Sequence, residues 1–206
     1  MRASLIYILK APQKGLVKTR LASAIGQDKA CAAYKKLVEH TLHATRGPWE
    51  TIVCYTPADA APQIKTWLPA VDSYYPQGPG DLGKRMTQIW EKIDQQGGSP
   101  IGLLGGDCPY IHAPLIEKAF ALLQHTDCVV GPARDGGFYG FFCKGFYPNL
   151  FNDIDWGTAA VLQQTLRNLE QNQLSTHLLP ELEDVDDLNS WQRAHAVFFD
   201  GAPGLD

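Results

Sequence analysis

Apolar residues fall in short unbroken runs separated by longer amphipathic stretches. Leu5 to Leu9 reads Leu-Ile-Tyr-Ile-Leu, without alternation, the pattern of a strand buried on both faces. Thr51 to Tyr55, Pro100 to Leu104 and Cys128 to Val130 repeat it. Asp72 to Tyr75 and Thr176 to Leu179 read as short strands, and Phe138 to Cys143 is aromatic and β-prone. Between the runs lie helical patterns. One runs from Thr19 to Thr45, broken near Gly26, with Asp28 as its expected N-cap; a short one covers Asp59 to Leu68. Another starts at the cap Asp81 and runs to Gln96, where Gly97-Gly98 ends it. Pro114 to Gln124, Thr158 to Gln171 (capped by Thr158) and Asp187 to Val197 complete the set. Strands alternating with helices predict an α/β fold, a mostly parallel mixed sheet covered by helices on both faces. No linker or repeat interrupts it, so a single domain over residues 1–206 is expected.

Composition narrows the function. Hydrophobic residues make up 45% of 206, and the net charge is −4, which argues against binding nucleic acid or a membrane surface. The apolar start is too short for a secretion signal, and no run reaches membrane-spanning length. Five scattered cysteines without a C-x-x-C pair read as reduced, buried thiols of a cytoplasmic protein.

Chemistry concentrates at strand ends. Gly105-Gly106-Asp107-Cys108-Pro109 closes the run before it and presents one carboxylate where open α/β sheets bind ligands. Such an acid suits Mg²⁺ or Mn²⁺; the bland alternative is a turn Asp capping the next helix. The loop Lys10 to Leu21 places Gly15, Lys18 and Arg20 between the first strand and helix, a usual seat for phosphate, although it is not a Walker A motif. Gly78 to Gly83 matches G-x-G-x-x-G only by letter, and reads equally as a helix-entry turn or a Gly-rich loop beside a nucleotide, with Arg85 close by. Asp135-Gly136-Gly137-Phe138 is either a hairpin turn or a grip for a sugar or polar acceptor. Asp155 precedes a helix. In Asp184-Val185-Asp186 the alternation puts both acids on one side of an extended segment, though capping of the last helix by Asp186 or Asp187 explains such acids as well. Cys108 reads as a packed thiol, His40 and His43 as a surface pair, and His112 as near the cleft by proximity only.

Taken together, these segments resemble the small bacterial family DUF2064, with a likeness in the first loop to phospholactate guanylyltransferases. The resemblance implies a single-domain GT-A-like (Rossmann-like, nucleotide-diphospho-sugar transferase-like) three-layer fold and a metal-dependent glycosyltransferase. Asp107 would be the metal-binding acid, completed by Asp184 or Asp186, with Mg²⁺ or Mn²⁺ as cofactor. Lys10, Lys18 and Arg20, with Gly15 in their loop, would meet phosphates. Gly80, Asp81 and Arg85 would line the base or ribose. Asp135, Gly136, Gly137 and Phe138 would meet the acceptor or sugar, and Asp135 or Asp155 would be the base for an inverting reaction. The partners implied are a nucleotide-sugar donor and a small-molecule acceptor, with no nucleic acid and no membrane; a homodimer stays open. One departure stands out: Asp187 follows Asp186 directly, whereas the family pattern spaces its acids more widely. A nucleotidyltransferase acting on a small phosphorylated substrate is the rival reading, and a catalytically silent nucleotide-binding partner is the third.

Overall fold

The computed structural model describes residues 2–200. In chain order the elements are β1 (Ser4–Lys10), α1 (Thr19–Ile25), α2 (Gln27–Ala44), β2 (Glu50–Thr56), α3 (Ala61–Trp67), β3 (Ser73–Pro76), α4 (Leu82–Gln95) and β4 (Ile101–Leu104). There follow α5 (Ala113–Leu122), β5 (Cys128–Pro132), β6 (Phe138–Cys143), α6 (Val161–Gln171), β7 (Thr176–Leu178) and α7 (Leu188–Phe198). The strands form one sheet in the order β3-β2-β1-β4-β6-β5-β7. All neighbouring pairs run parallel except those of β6, which is antiparallel to both β4 and β5.

The unbroken apolar runs are explained by helices on both faces. Leu5, Tyr7 and Leu9 of β1 face a cluster with Val38 of α2, Ile64 of α3 and Ile116 of α5. Ile6 turns to the other side, where Met86 and Trp90 of α4 and Leu169 of α6 meet Phe141 of β6. A third cluster joins Leu21, Leu37, Val185 and Trp191, fastening α1, α2 and α7 together. These side chains are almost wholly buried, each worth about 1.5–3 kcal/mol in apolar transfer. No helix among the described residues is long and apolar enough to cross a membrane.

Two expected caps are corrected. Gly26, at φ 86°, both ends α1 and starts α2, because its conformation lets its N–H reach Ala22 O while the chain turns. Asp28 therefore lies inside the first turn of α2, where it favours the helix dipole and pairs with Lys14 at 2.6 Å. Thr158 does not cap α6, which begins at Val161; its hydroxyl accepts from the Ala160 N–H and donates to Asp155 O in the preceding turn. Asp81 caps α4 as expected, accepting from the Lys84 N–H at 2.9 Å. Asp187, not Asp186, caps α7, in a reciprocal pair with Ser190.

Candidate functional site

The strand order reverses between β1 and β4, so their C-terminal ends part and leave a crevice. Gly105-Gly106-Asp107 continues β4 into it. Gly106 is packed so closely that an added Cβ would lie 2.5 Å from Leu9 and 2.8 Å from Val38, so a side chain here would push the acid-bearing turn off the sheet. From the far edge, the segment after β7 returns to the same place. Its Val185 side chain is buried against α1, α2 and α7, and its N–H donates to Asp107 O at 3.0 Å. Alternation then brings Asp184 and Asp186 to Asp107, and one oxygen from each carboxylate lies within 4.8 Å of the others.

Lys18 reaches into this group between Asp107 and Asp186. It has left-handed backbone (φ 47°), uncommon for a residue with a side chain, and this turn into α1 carries its chain inward. Nζ lies 2.7 Å from Asp107 Oδ2 and 2.8 Å from Asp186 Oδ1, with the side chain only 5% exposed. Burial works against its charge, but the two carboxylates outweigh it and hold the pKa above the ordinary lysine value. Asp184 has no such cation. Its pKa is pushed up to about 7 by burial, then by the negative charges of Asp107, Asp135 and Asp186. Three carboxylate oxygens within 4.8 Å of one another, two of them from acids that also hold an ammonium, fit a hard, oxygen-seeking divalent cation.

Two joined hollows flank the acids. The larger, about 660 Å³, is lined by Lys10, Lys18, Arg20 and Arg85, with Tyr34 and Gln77 in its wall. Leu16 and Leu82, 62% and 38% exposed, stand at its sides. The smaller, about 230 Å³, is lined by Asp107, Asp135, Gly137, Phe138, Trp156 and Asp184 among others. Asp135 and Asp107 border both.

The remaining predicted residues take indirect places. Gly15 forms a turn (φ 78°) against Gln27 and lines neither hollow. Gly80 and Asp81 do not line them either; the Gly80 carbonyl accepts from Arg85 Nε at 2.8 Å and so orients a residue that does. Gly136 lines neither, and its carbonyl accepts from the Leu162 N–H at 2.8 Å. Asp155 is set apart: its carboxylate accepts from the Gln164 amide at 2.7 Å, and it borders neither hollow. His112 caps α5 through Nδ1. The Cys108 thiol is buried, and that burial and the charge of Asp107 raise its pKa, which disfavours the thiolate. Sequence reasoning passed over Gln77, whose amide donates to Leu9 O and Cys54 O, and Tyr34, whose hydroxyl pairs with the Lys10 backbone. Neither carries a sequence signal, since each is a polar residue in an ordinary place.

Gly136 carries a stability prediction. Its φ is 87°, and a Cβ there would lie 2.4 Å from Ala159 O. Gly136→Ala is expected to cost about 2–3 kcal/mol, the sum of a left-handed penalty and a backbone clash, read as a lowered urea midpoint.

The sheet order, the lone antiparallel strand and the acid-floored crevice define a nucleotide-diphospho-sugar transferase-like α/β protein. The chain belongs to the bacterial family DUF2064, whose model, described as "uncharacterized protein conserved in bacteria", matches residues 38–158. A provisionally named nucleotide-diphospho-sugar transferase from Desulfovibrio desulfuricans G20 shares 33% identity with a TM-score of 0.90, over 99% of this chain and 92% of that one. Two more distant structures share the fold. CMP:2-keto-3-deoxy-manno-octonic acid synthetase complexed with CTP has 10% identity and a TM-score of 0.60, over 98% and 100% of the two chains. The Rv0371C protein of Mycobacterium tuberculosis H37Rv in complex with manganese has 14% identity and a TM-score of 0.53, over 94% and 97%. No curated protein matches the sequence.

Proposed function

We propose that this protein is a divalent-metal-dependent glycosyltransferase that moves a sugar from a nucleoside diphosphate sugar to a small acceptor. The observation that carries this reading is the convergence of Asp107, Asp184 and Asp186 on the floor of a crevice whose larger hollow bears four cationic side chains. The name of the D. desulfuricans relative and the manganese in the Rv0371C structure agree with it.

The residues have separable tasks. Asp107, Asp184 and Asp186 would hold Mg²⁺ or Mn²⁺, which when bound offsets charge on diphosphate oxygens. Lys10, Arg20 and Arg85 would meet those oxygens from the wall of the larger hollow, where fixed cations stabilise charge that builds on the leaving group. Leu16 and Leu82 offer exposed apolar surface for a flat base. In transfer, the bond from the sugar's anomeric carbon to the diphosphate oxygen breaks and its electrons leave with the nucleoside diphosphate. The acceptor hydroxyl oxygen bonds to that carbon, and its proton passes to a base. Asp135, at the border of the two hollows, is better placed for this than Asp155, which Gln164 holds outside them.

A second reading is nucleotidyl transfer with release of pyrophosphate. The shared fold of the CTP-bound synthetase favours it. A thermal-shift panel separates the two: UDP-, GDP-, ADP- and CDP-sugars and the four nucleoside triphosphates, each with Mn²⁺, Mg²⁺ or EDTA. Specific binding raises the melting temperature by mass action. A metal-dependent shift with one nucleotide-sugar class is expected; a shift confined to triphosphates would replace the first reading by the second. In the same panel Asp107→Asn is expected to keep the apo melting temperature within about 3 °C and lose the metal-dependent shift. A shift undiminished at every metal concentration would mean the site lies elsewhere.

A further inference from the structure

The two hollows differ in charge. Lys10, Lys18, Arg20 and Arg85 line the larger, whereas among the described residues no Lys, Arg or His lines the smaller. The charged groups of the smaller hollow are Asp107, Asp135 and Asp184, and much of the rest is apolar or aromatic, with Phe138, Trp156 and Val161 on its wall. The Trp156 ring stands edge-on to Phe138 at 6.3 Å and to Phe151 at 6.1 Å, so it is a fixed part of the wall. Arg134, next to Asp135 in sequence, faces Glu181 and Glu183 at 3.9 and 3.7 Å and does not border the hollow. Tyr139 borders it, but its hydroxyl donates to Pro180 O.

We infer that the smaller hollow selects its occupant by charge: it takes an electroneutral or cationic group with an apolar ring or chain face, and excludes phosphate esters and carboxylates. An anion entering it would be desolvated beside like charges, and the nearest ammonium, that of Lys18, lies outside the wall and is already paired with Asp107 and Asp186. A divalent ion on Asp107, Asp184 and Asp186 does not reverse this: with the Lys18 ammonium 2.7 Å from Asp107 it brings three positive charges against the four of these carboxylates and Asp135, and the group stays net negative. At about 230 Å³ the hollow is below the range for drug-sized ligands, so the occupant is of single-ring size. Resting on the reading that the larger hollow takes the nucleotide, this makes the second substrate a neutral hydroxyl or amine compound. A phosphate monoester, the nucleophile that a nucleotidyl transfer of the rival kind needs, does not fit.

The test uses Trp156 as a built-in probe. Its emission is isolated as the difference between the protein and Trp156→Phe, with Trp156→Tyr giving the same difference should Phe fail to hold the loop. Quenching by caesium, acrylamide and iodide is measured at constant ionic strength, in EDTA and in Mg²⁺, each relative to free N-acetyltryptophanamide. Iodide is expected to quench at least about threefold less than acrylamide on this scale, and caesium no less than acrylamide, as a negative potential of about one kT or more requires. Iodide and acrylamide quenching in the same ratio as for the free compound would overturn the inference. Anion exclusion together with a nucleotide panel that shows no shift would instead remove the glycosyl-transfer reading and leave the charge selection standing.

Discussion

Lys18→Met is expected to lower the melting temperature measured in EDTA by about 4–8 °C and to tighten Mn²⁺ binding at least tenfold. Met keeps the length of the side chain and inherits the same left-handed backbone, so the change is confined to the charge. Without the ammonium, Asp107 and Asp186 face each other and Asp184, with only the exposed Arg20 guanidinium, 3.6 Å from Asp186, left as a partner. Breaking a buried ion pair costs about 3–5 kcal/mol, and the partial exposure of both carboxylates puts this case nearer 2 kcal/mol. The same loss removes the competitor that Mn²⁺ must displace. Saturating Mn²⁺ should therefore restore the variant to within a few degrees of the parent, measured by calorimetry with and without EDTA. A variant whose melting temperature and Mn²⁺ affinity both match the parent would show that Lys18 does not hold the acids together.

Asp184→Asn is expected to act with opposite sign on stability and on metal. The sign follows from the raised carboxyl. In the unfolded chain it ionises near 3.8, in the folded protein at about 7. Between these values the unfolded state gives up the proton first, so this group's contribution to stability falls as pH rises through the window and is lost in full above pH 7. Asn has no proton to lose. At pH 8 in EDTA the variant should melt about 2–4 °C above the parent, and at pH 4 the two should coincide. Mn²⁺ affinity should fall more than about 100-fold, since a ligand is gone. In the parent, that affinity should drop by about tenfold per pH unit below 7, because binding must release the Asp184 proton. Equal melting temperatures at pH 8, or pH-independent Mn²⁺ binding, would place Asp184 outside the cation site.

Much of this was readable in the chain because burial on both faces of a sheet leaves no alternation. Leu5 to Leu9 has the pattern of an inner strand, and Gly105-Gly106-Asp107 after a like run left two readings, an acid at the crevice or a helix cap, of which the cap is filled by His112. The pairing of Asp184 with Asp186 was legible for the same kind of reason, since a strand-like period fixes which side each carboxylate takes. What was not legible depends on contacts between distant segments. Nothing in Val17-Lys18-Thr19 announces a left-handed lysine, so the pairing of Lys18 with Asp107 and Asp186 was not foreseen. Asp155 looked equivalent to Asp135 until Gln164, nine residues on, was seen to hold it. Asp28 and Thr158 have the chemistry of caps, but helix starts are set by the turns before them. The reversed direction of β6 was legible in part, because Asp135-Gly136 is a hairpin signal and β5 and β6 are joined through it as an antiparallel pair.

That the acids come from separate parts of the chain bears on biosynthesis. Asp107 follows β4, whereas Asp184 and Asp186 precede the last helix, and they are secured only when Val185 docks beside Trp191. A ribosome thus delivers the first acid long before the other two. A growing chain with β1 to β6 in place has the strands that shape the crevice and no closed set of oxygens in it. The full set of oxygens is a property of a chain made almost to the end of α7.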